Sequence, residues 1–300
     1  MSVCAVVVTY NRRELLQECL AALAAQTRPL DHVLVIDNAS TDGTPELVRE
    51  RYRDQVELVA LPTNEGGAGG FHEGLRLAHA AGHEWIWLMD DDTIATSTAL
   101  EELLAASART GLSPPALLSS KVVWTNGVLH PTNQPNFERE ASATMIVAAE
   151  QRLLPLRTAS FVSLLLHRGG VDRHGLPLKR YFLWSDDLEY TARILGEEPG
   201  YLVPASVAVH KTESPFAEGS SGYLPYFSSG DRFYFHVRNQ IYMLRGTAWK
   251  GREKPGLLFG YLLSIVRYLH FSRCSRASLA VVGRGVRDGL KPGAPVPARP

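Results

Sequence analysis

The 300-residue sequence is poor in cysteine and in long apolar runs, and it has no net charge. Its three cysteines, Cys4, Cys19 and Cys274, are scattered and lack metal-type spacing, which argues against a disulfide framework and against a zinc site. No stretch reaches the roughly 18 to 20 apolar residues that cross a bilayer. Residues 1 to 10 lack the basic start and the cleavage site of a secretion signal. We therefore expect a globular protein that is located in the cytoplasm.

The net charge of zero conceals an uneven distribution along the chain. From Asp231 to the end there are 13 Lys and Arg against 3 Asp and Glu, which leaves 18 against 28 for residues 1 to 230. Such a basic segment is predicted to face an anionic partner, for example a membrane surface or a phosphate-bearing acceptor. Docking onto the acidic body of the same protein would give the same count, so both interpretations stay open.

Apolar runs alternate with helical patterns in the first half of the sequence. Four strands are predicted there, at residues 3 to 8, 32 to 36, 56 to 61 and 85 to 89. Three more are predicted in the less regular second half, at residues 117 to 124, 159 to 166 and 200 to 210. Strands that alternate with helices form a mostly parallel, Rossmann-like α/β sheet with helices on both faces. The loops that follow the strands then lie at one edge of the sheet, where such sheets bind ligands.

Three consecutive aspartates, Asp90, Asp91 and Asp92, directly follow the apolar run of the fourth predicted strand. Because adjacent like charges repel each other, they need a counter-ion or a loop that faces water. Carboxylates spaced one residue apart suit a hard divalent cation that carries phosphates. A solvated acidic turn is the alternative interpretation.

Four motifs resemble, in the same order, those of family 2 inverting glycosyltransferases. They are Thr9-Tyr10-Asn11-Arg12, the segment Asp37 to Thr44, the aspartate triplet and the segment Trp184 to Tyr190. The similarity extends over about residues 3 to 212 and implies the GT-A fold. The glycine-rich segment that ends in Phe71, together with the tryptophan-led acidic motif, looks most like the branch that transfers galactofuranose and rhamnose.

The resemblance implies that the loop after the first strand and the end of the second strand bind the nucleotide. The matching residues are Thr9, Tyr10, Arg12 and Asp37, and Asp91 is expected to contact the sugar or the ribose. A carboxylate at Asp37 can accept a hydrogen bond from the imide N–H of uracil or thymine, and it can equally satisfy its own turn. By the same resemblance, the nucleotide sugar is bordered by Asn64, Gly69 and Gly70.

The resemblance assigns Asp90 and Asp92 to a metal-binding pair. His210, at the end of the last predicted strand, matches a histidine that family members often place beside the metal. Oxygen ligands imply Mg²⁺ or Mn²⁺, with a diphosphate completing the coordination shell, and an imidazole ligand shifts the preference towards Mn²⁺. The alternative for His210 is a strand-end histidine that is bonded to a carbonyl group.

Asp187 is the expected general base and Asp186 an acceptor or sugar contact, because both match the acidic motif of the family. Inversion at an anomeric carbon requires one carboxylate that takes the proton of the acceptor hydroxyl, with no covalent enzyme intermediate. Trp184 offers an apolar face on which a sugar ring can stack. Aspartate is also a favoured N-cap residue, so a structural role at a helix start is the alternative.

Together the motifs predict a metal-dependent inverting glycosyltransferase. The expected donor is a UDP- or dTDP-sugar, with galactofuranose or rhamnose favoured, and the expected acceptor is a hydroxyl of a glycan or glycolipid. No nucleic-acid partner is expected. One rival interpretation is a sugar-1-phosphate nucleotidyltransferase, which requires a glycine-rich loop after the first strand, and residues 9 to 13 contain no glycine. The other is a catalytically silent glycan-binding subunit, against which the intact acidic motifs argue.

The chain is expected to divide at about residue 227. Residues 1 to 227 form a catalytic domain with a nucleotide-binding half, 1 to 112, and an acceptor half, 113 to 227, and residues 228 to 300 form a basic, largely helical extension with a disordered end. Residues 211 to 226, rich in Gly, Ser and Pro, are predicted to be a lid. A helix is predicted at residues 257 to 271, and its partner is a membrane, the protein body or a second subunit of a homo-oligomer.

Overall fold

The computed structural model describes residues 1–111, 113–137, 142–212 and 230–292. The predicted lid from residue 213 onward, the predicted domain boundary and the predicted disordered end from residue 293 lie outside these ranges. The strands are β1 Val3–Thr9, β2 His32–Asp37, β3 Glu57–Ala60, β4 Trp85–Asp90, β5 Thr93–Ala95, β6 Leu117–Val123, β7 Asn136–Phe137, β8 Leu154–Thr158, β9 Leu164–His167 and β10 Gly200–His210. The α-helices are α1 Arg13–Ala24, α2 Thr44–Arg51, α3 Gly66–Ala80, α4 Ala99–Arg109, α5 Ser142–Glu150, α6 Arg168–His174, α7 Asp186–Leu195, α8 Phe233–Arg245, α9 Lys254–Phe271 and α10 Arg276–Leu290.

One mixed sheet runs through the protein in the order β3-β2-β1-β4-β9-β6-β10-β8-β7, and β5 pairs with β10. The first four of these strands are parallel to one another. Beyond them β9 is antiparallel to β4 and β6, whereas β6 and β10 are parallel. Since β5, β8 and β9 alone run opposite to the rest of the described strands, the sheet is mostly parallel, and the predicted α/β class is confirmed.

Helices cover both faces of the sheet, as the alternating pattern predicted. On one face α1 packs on β5 and α4 packs on β6 and β10, with core residues such as Leu16 and Leu103. On the other face α3 packs on β1, β2 and β4, α6 on β9 and α7 on β8, with core residues such as Leu75, Val171 and Ile194. The sheet residues between these layers are buried, which explains why the strands read as continuous apolar runs rather than as alternating patterns.

Two predicted elements differ from the structure. The strand expected at residues 159 to 166 begins only at Leu164, as β9, because residues 159 to 163 form the connection from β8, in which Ser163 has a φ of 57°. Its hydroxyl contacts Trp87 Nε1 at 3.0 Å and Ser120 Oγ at 2.6 Å, so this polar connection is satisfied inside the protein. The glycine-rich segment is also not a loop through Gly70, because helix α3 begins at Gly66.

The C-terminal helices α8, α9 and α10 form a cluster of their own, and Phe233 of α8 stacks on Tyr268 of α9 with ring centroids 3.8 Å apart. A second cluster joins this region to the catalytic body through Met243 and Trp249. Arg157 at the end of β8 is buried there and pairs with Glu253 at 2.7 Å. None of the described helices is long and apolar enough to cross a lipid bilayer.

Candidate active site

A cleft of about 790 Å³ opens where β1, β4 and β10 end. Its walls come from the ends of these strands, the start of α3, the segment before α7 and one side of α8. The cleft brings together most of the side chains that the motifs predicted, namely Thr9, Tyr10, Arg12, Asn64, Asp90, Asp91, Asp92, Trp184, Asp186, Asp187 and His210. Parts of the sequence as far apart as Thr9 and His210 therefore meet at the predicted edge of the sheet.

Asp91 is turned towards the loop that follows β1. Its Oδ2 accepts hydrogen bonds from Thr9 Oγ1 at 2.7 Å and from the amide of Tyr10 at 3.3 Å. Arg12 Nη1 lies 3.3 Å from Asp91 and 2.5 Å from Asp92. Burial, with repulsion from Asp92, outweighs these partners and raises the pKa of Asp91 to about 6. The loop after β1 is thus fixed to the acidic triplet, with the Arg12 cation between two of its members.

Asp90, Asp92 and His210 each offer a ligand atom within 4.8 Å of the others. They meet because β5 turns back after the triplet and pairs with β10, which places His210 opposite Thr93. His210 Nε2 lies 3.0 Å from Asp92 Oδ1, and its Nδ1 faces Asn133 Oδ1 at 2.7 Å. A proton on Nδ1 that is donated to Asn133 leaves Nε2 directed at the carboxylates, as in many metal-binding histidines.

The electrostatics of this cluster favour the binding of a positive charge. Burial, followed by repulsion from Asp92, raises the pKa of Asp90 to about 7. Burial would also raise the pKa of Asp92, but the hydrogen bond and charge of His210, together with Arg12, lower it to about 2. The same pairing raises the pKa of His210 although its burial alone would lower it. Two carboxylates and one imidazole fit Mn²⁺ or Mg²⁺ in donor type and spacing.

Asp186 and Asp187 lie in the first turn of α7, and neither is its N-cap residue, a position that Ser185 occupies. Asp187 Oδ1 accepts a hydrogen bond from the amide of Leu188 at 2.7 Å. Burial raises the pKa of Asp187 to about 6 and, with repulsion from Asp187, the pKa of Asp186 above its ordinary value. The helix N-terminus therefore stabilises these carboxylates only in part, because burial dominates.

Trp184 lies on the cleft wall immediately before these carboxylates. Phe182, Trp184 and Ser185 all adopt positive φ angles, of 61°, 64° and 67°. Non-glycine residues rarely adopt this region, so the segment is strained and must be stabilised by its surroundings.

Asp37 ends β2 and is completely buried, and it does not line the cleft, although the next residue, Asn38, does. Its Oδ2 accepts a hydrogen bond from the amide of Ser40 at 3.0 Å, as the turn interpretation predicted. Its Oδ1 has no hydrogen-bond partner among the residues that the structure describes. A buried carboxylate oxygen without a donor is costly, so this atom is suited to a ligand that donates.

Gly69 and Gly70 do not line the cleft; they lie inside α3. A Cβ on Gly69 would lie 2.3 Å from Glu65 Cβ, and one on Gly70 would lie 2.5 Å from Val8 Cγ1. Gly70 therefore lets α3 pack closely on β1, and Gly69 leaves room for Glu65 at the start of the helix. Their place beside the nucleotide sugar stays a prediction. Gly66 and Gly67, at the helix start, line the cleft instead.

Several side chains at the site were not predicted. Asn38 bonds the carbonyl of Gly66 at 2.7 Å and the amide of Glu65 at 3.0 Å, and so fixes the start of α3 beside β2. Asn133 orients His210, and α8 contributes Phe235 and Gln240 to the cleft wall. Asn38 stands inside a predicted motif and could have been proposed, whereas nothing in the sequence marks the other three.

Comparison with known proteins agrees with this geometry. The family model described as "Glycosyl transferase family 2" matches residues 4–143. Galactofuranosyltransferase GlfT1 of Mycolicibacterium smegmatis is 31% identical over 297 residues, which cover 96% of this chain and 94% of the relative. N-acetylglucosaminyl-diphospho-decaprenol L-rhamnosyltransferase of Mycobacterium tuberculosis is 27% identical over 236 residues, which cover 70% of this chain and 76% of the relative.

Solved glycosyltransferases share the fold at low sequence identity. S. aureus TarS in complex with UDP-GlcNAc superposes with a TM-score of 0.62 and 19% identity, covering 96% of this chain and 80% of that one. The mannosyltransferase PcManGT of Pyrobaculum calidifontis, in complex with GDP-Man and Mn²⁺, superposes with a TM-score of 0.56 and 20% identity, covering 97% of this chain and 81% of that one. With a relative that matches along nearly its whole length and the GT-A architecture around the cleft, the chain belongs to glycosyltransferase family 2 and is a glycosyltransferase.

Proposed function

We propose that this protein is a metal-dependent inverting transferase that moves galactofuranose or rhamnose from a UDP- or dTDP-sugar to a hydroxyl of a glycan or glycolipid. The observation that carries the proposal is the shared cleft, in which the cluster of Asp90, Asp92 and His210 lies together with Asp186 and Asp187. Relatives named for galactofuranosyl and rhamnosyl transfer support the choice of sugars.

Asp90, Asp92 and His210 would hold the Mn²⁺ or Mg²⁺, which when bound supplies positive charge to the diphosphate of the donor. Asp187 takes the proton of the acceptor hydroxyl, whose oxygen bonds to the anomeric carbon as the bond from that carbon to the diphosphate breaks. A pKa of about 6 keeps the Asp187 carboxylate ionised at neutral pH and makes it more basic than an exposed aspartate. Trp184 lies beside it and offers a ring on which the sugar or acceptor packs.

On the nucleotide side, Asp37 is the proposed base-reading group. Its unpartnered Oδ1 can accept a hydrogen bond from the imide N–H of uracil or thymine, which cytosine and adenine do not offer. Thr9, Tyr10 and Arg12, fixed to Asp91, place polar groups beside the diphosphate path. Asn64, which accepts from the amide of Gly66 at 2.8 Å, borders the donor at the start of α3.

The base assignment is tested with purified Asp187→Asn protein, donor panels of UDP-galactofuranose and dTDP-rhamnose, and Mn²⁺. Transfer should fall at least about 100-fold while donor binding by calorimetry changes less than about twofold, because the amide keeps the shape of the side chain but is no base. Asp54→Asn, at an exposed aspartate outside the cleft, is the matched control. Turnover that survives in Asp187→Asn removes Asp187 from this role.

The metal assignment is tested by chelation and replacement. EDTA should stop transfer and Mn²⁺ should restore it more fully than Mg²⁺, because one ligand is an imidazole. His210→Ala should raise the Mn²⁺ concentration needed for half-maximal activity by about tenfold or more. Full activity in EDTA would contradict the assignment of Asp90, Asp92 and His210.

We further propose that α9 lies on an anionic membrane surface, at the cytoplasmic face where a lipid-linked acceptor would be presented. One side of this helix exposes Leu258, Phe259, Leu262 and Val266, and the chain from Asp231 onward carries the 13 to 3 excess of basic residues. Apolar residues beside basic ones are typical of helices that lie in the interface of anionic lipids. Vesicles with phosphatidylglycerol should sediment the protein, pure phosphatidylcholine vesicles should not, and Phe259→Ser with Leu262→Ser should abolish binding.

A further inference from the structure

The loop of residues 181 to 185, here called the strained loop, leads directly into α7 and its two carboxylates. Three of its five residues have positive φ angles without being glycine. Each such residue is strained, and the conformation persists only where the surroundings enforce it. The carboxylates of α7 therefore depend on whatever contacts this loop.

Helix α8, in the region that the sequence placed outside the catalytic domain, supplies those contacts. Asn239 is fully buried, and its Nδ2 lies within hydrogen-bonding distance of three carbonyl oxygens, those of Tyr181 (3.0 Å), Leu183 (2.8 Å) and Trp184 (2.8 Å). The neighbouring Arg238 Nη2 donates to the Tyr181 carbonyl at 2.8 Å. One amide group thus contacts the backbone on both sides of the turn.

The opposite side of the strained loop contacts α3. The amide of Ala68 donates to the Phe182 carbonyl at 3.2 Å, and a Cβ on Gly66 would lie 2.0 Å from that oxygen. The Phe182 ring stacks on Phe235 of α8, with centroids 5.0 Å apart. The loop is therefore enclosed between the start of α3, on the nucleotide side, and α8. The contact with α3 is through the backbone of one residue, whereas Asn239 reaches three.

We propose that Asn239 is a positioning residue for the transfer reaction: by bonding the strained loop it sets the place of Asp187 without touching substrate. The proposal rests on the proposed role of Asp187 as the base. A general base must lie within hydrogen-bond reach of the acceptor hydroxyl, and a misplacement of about 1 Å can cost about 100-fold in rate. Without the Asn239 amide, the residues with positive φ angles can relax, and Asp187 then moves away from its place in the cleft.

The test compares Asn239→Leu, which keeps the size of the side chain but has no donor, with Arg245→Met. Arg245 lies on the same helix and bonds the carbonyl groups of Gly289 and Lys291, away from the loop. Asn239→Leu should lower kcat by about 10- to 100-fold while the Kd for the donor in Mn²⁺ changes less than twofold. Arg245→Met should lower the melting temperature with kcat unchanged.

A double variant separates this inference from the proposed function. If Asn239 acts through Asp187, then Asp187→Asn combined with Asn239→Leu should lose no more activity than Asp187→Asn alone. A multiplicative loss, or a folded Asn239→Leu protein with ordinary kcat, overturns the positioning role. Turnover retained by Asp187→Asn instead overturns the base assignment. If Asn239→Leu does not fold, Arg238→Lys takes its place. The expected result is then a kcat lowered about tenfold with an unchanged donor Kd, and an unchanged kcat would refute the inference.

Discussion

Removal of the buried Arg157 side chain should lower the free energy of unfolding strongly, because the side chain makes several hydrogen bonds away from water. Its guanidinium pairs with Glu253 through two nitrogens, at 2.7 and 3.0 Å, and also donates to the carbonyl groups of Ala192 at 2.6 Å and Ala248 at 2.8 Å. It lies 4.7 Å from the Trp249 ring. The side chain is 7% exposed, so water cannot take over these contacts when it is replaced.

The size of the effect follows from what Arg157→Met leaves behind. The charged bonds to Glu253 contribute about 1.5 to 3 kcal/mol, reduced because that side chain is 25% exposed. The Ala248 carbonyl loses its donor, at a cost of about 1 to 2 kcal/mol, whereas the Ala192 carbonyl still accepts from the amide of Gly196. The two contributions add to about 2.5 to 5 kcal/mol, which overlaps the range of about 3 to 5 kcal/mol for a broken buried pair. That should lower the melting temperature by about 10 °C.

Urea titration of Arg157→Met, followed by tryptophan fluorescence, measures this loss. The matched control is Arg76→Met, which breaks the Arg76–Glu73 pair on α3, where the arginine side chain is 48% exposed. That exposed pair should contribute less than about 0.5 kcal/mol. Equal losses in the two variants, or a loss below about 1 kcal/mol in Arg157→Met, would refute the argument that burial makes the difference.

Three further predictions follow from burial and close packing. Because burial raises the pKa of Asp187 to about 6, kcat/KM should fall about tenfold per pH unit below that value, and a profile that is flat to pH 5 would contradict a base of this pKa. Burial lowers the pKa of His236 to about 4, below the value near 6.5 in the unfolded chain, so the unfolded chain takes up the proton first as the pH falls. The free energy of unfolding should therefore fall by up to about 3 kcal/mol as the pH drops from 6.5 to 4. His236→Asn should remove that part of the pH dependence in urea titrations. Gly74→Ala places a Cβ 2.3 Å from Val6 Cγ1 and should lower the free energy of unfolding by about 1 to 3 kcal/mol. Gly67→Ala, with open space at its Cβ, should raise it by up to about 1 kcal/mol, and a gain in both variants in urea titrations would show that helix propensity alone decides.

The parts of the fold that the sequence predicts are those in which local pattern and burial agree. Strands β1 and β4 are buried on both faces, so their apolar runs end where a charged motif begins, and the motif marks the edge of the sheet. The run at residues 159 to 166 misleads for the same reason. Its residues are equally buried, yet the backbone turns at Ser163, and apolar composition does not distinguish a buried strand from a buried connection.

The meeting of Asp90, Asp92, Asp186 and Asp187 in one cleft could be predicted because these residues lie in short motifs that resemble those of a known family. Gly69 and Gly70 lie in a helix rather than in a loop because the start of α3 depends on contacts across the fold, above all those of Asn38 with Glu65 and Gly66. Asn133 could not be found from the sequence, since its role depends on a bond to His210, 77 residues away. In the sequence, an asparagine that orients a distant histidine looks the same as any other asparagine in a turn-rich segment.

The C-terminal segment was expected to be an appended extension, and its contacts favour a different interpretation. Asn239 and Arg238 reach the backbone that precedes α7, Phe235 and Gln240 line the cleft, and Glu253 neutralises a buried arginine of β8. An appended element would leave the cleft complete without it. Here α8 forms one wall of the cleft and contacts the loop before Asp186 and Asp187, so the first helix of the basic segment is part of the candidate site.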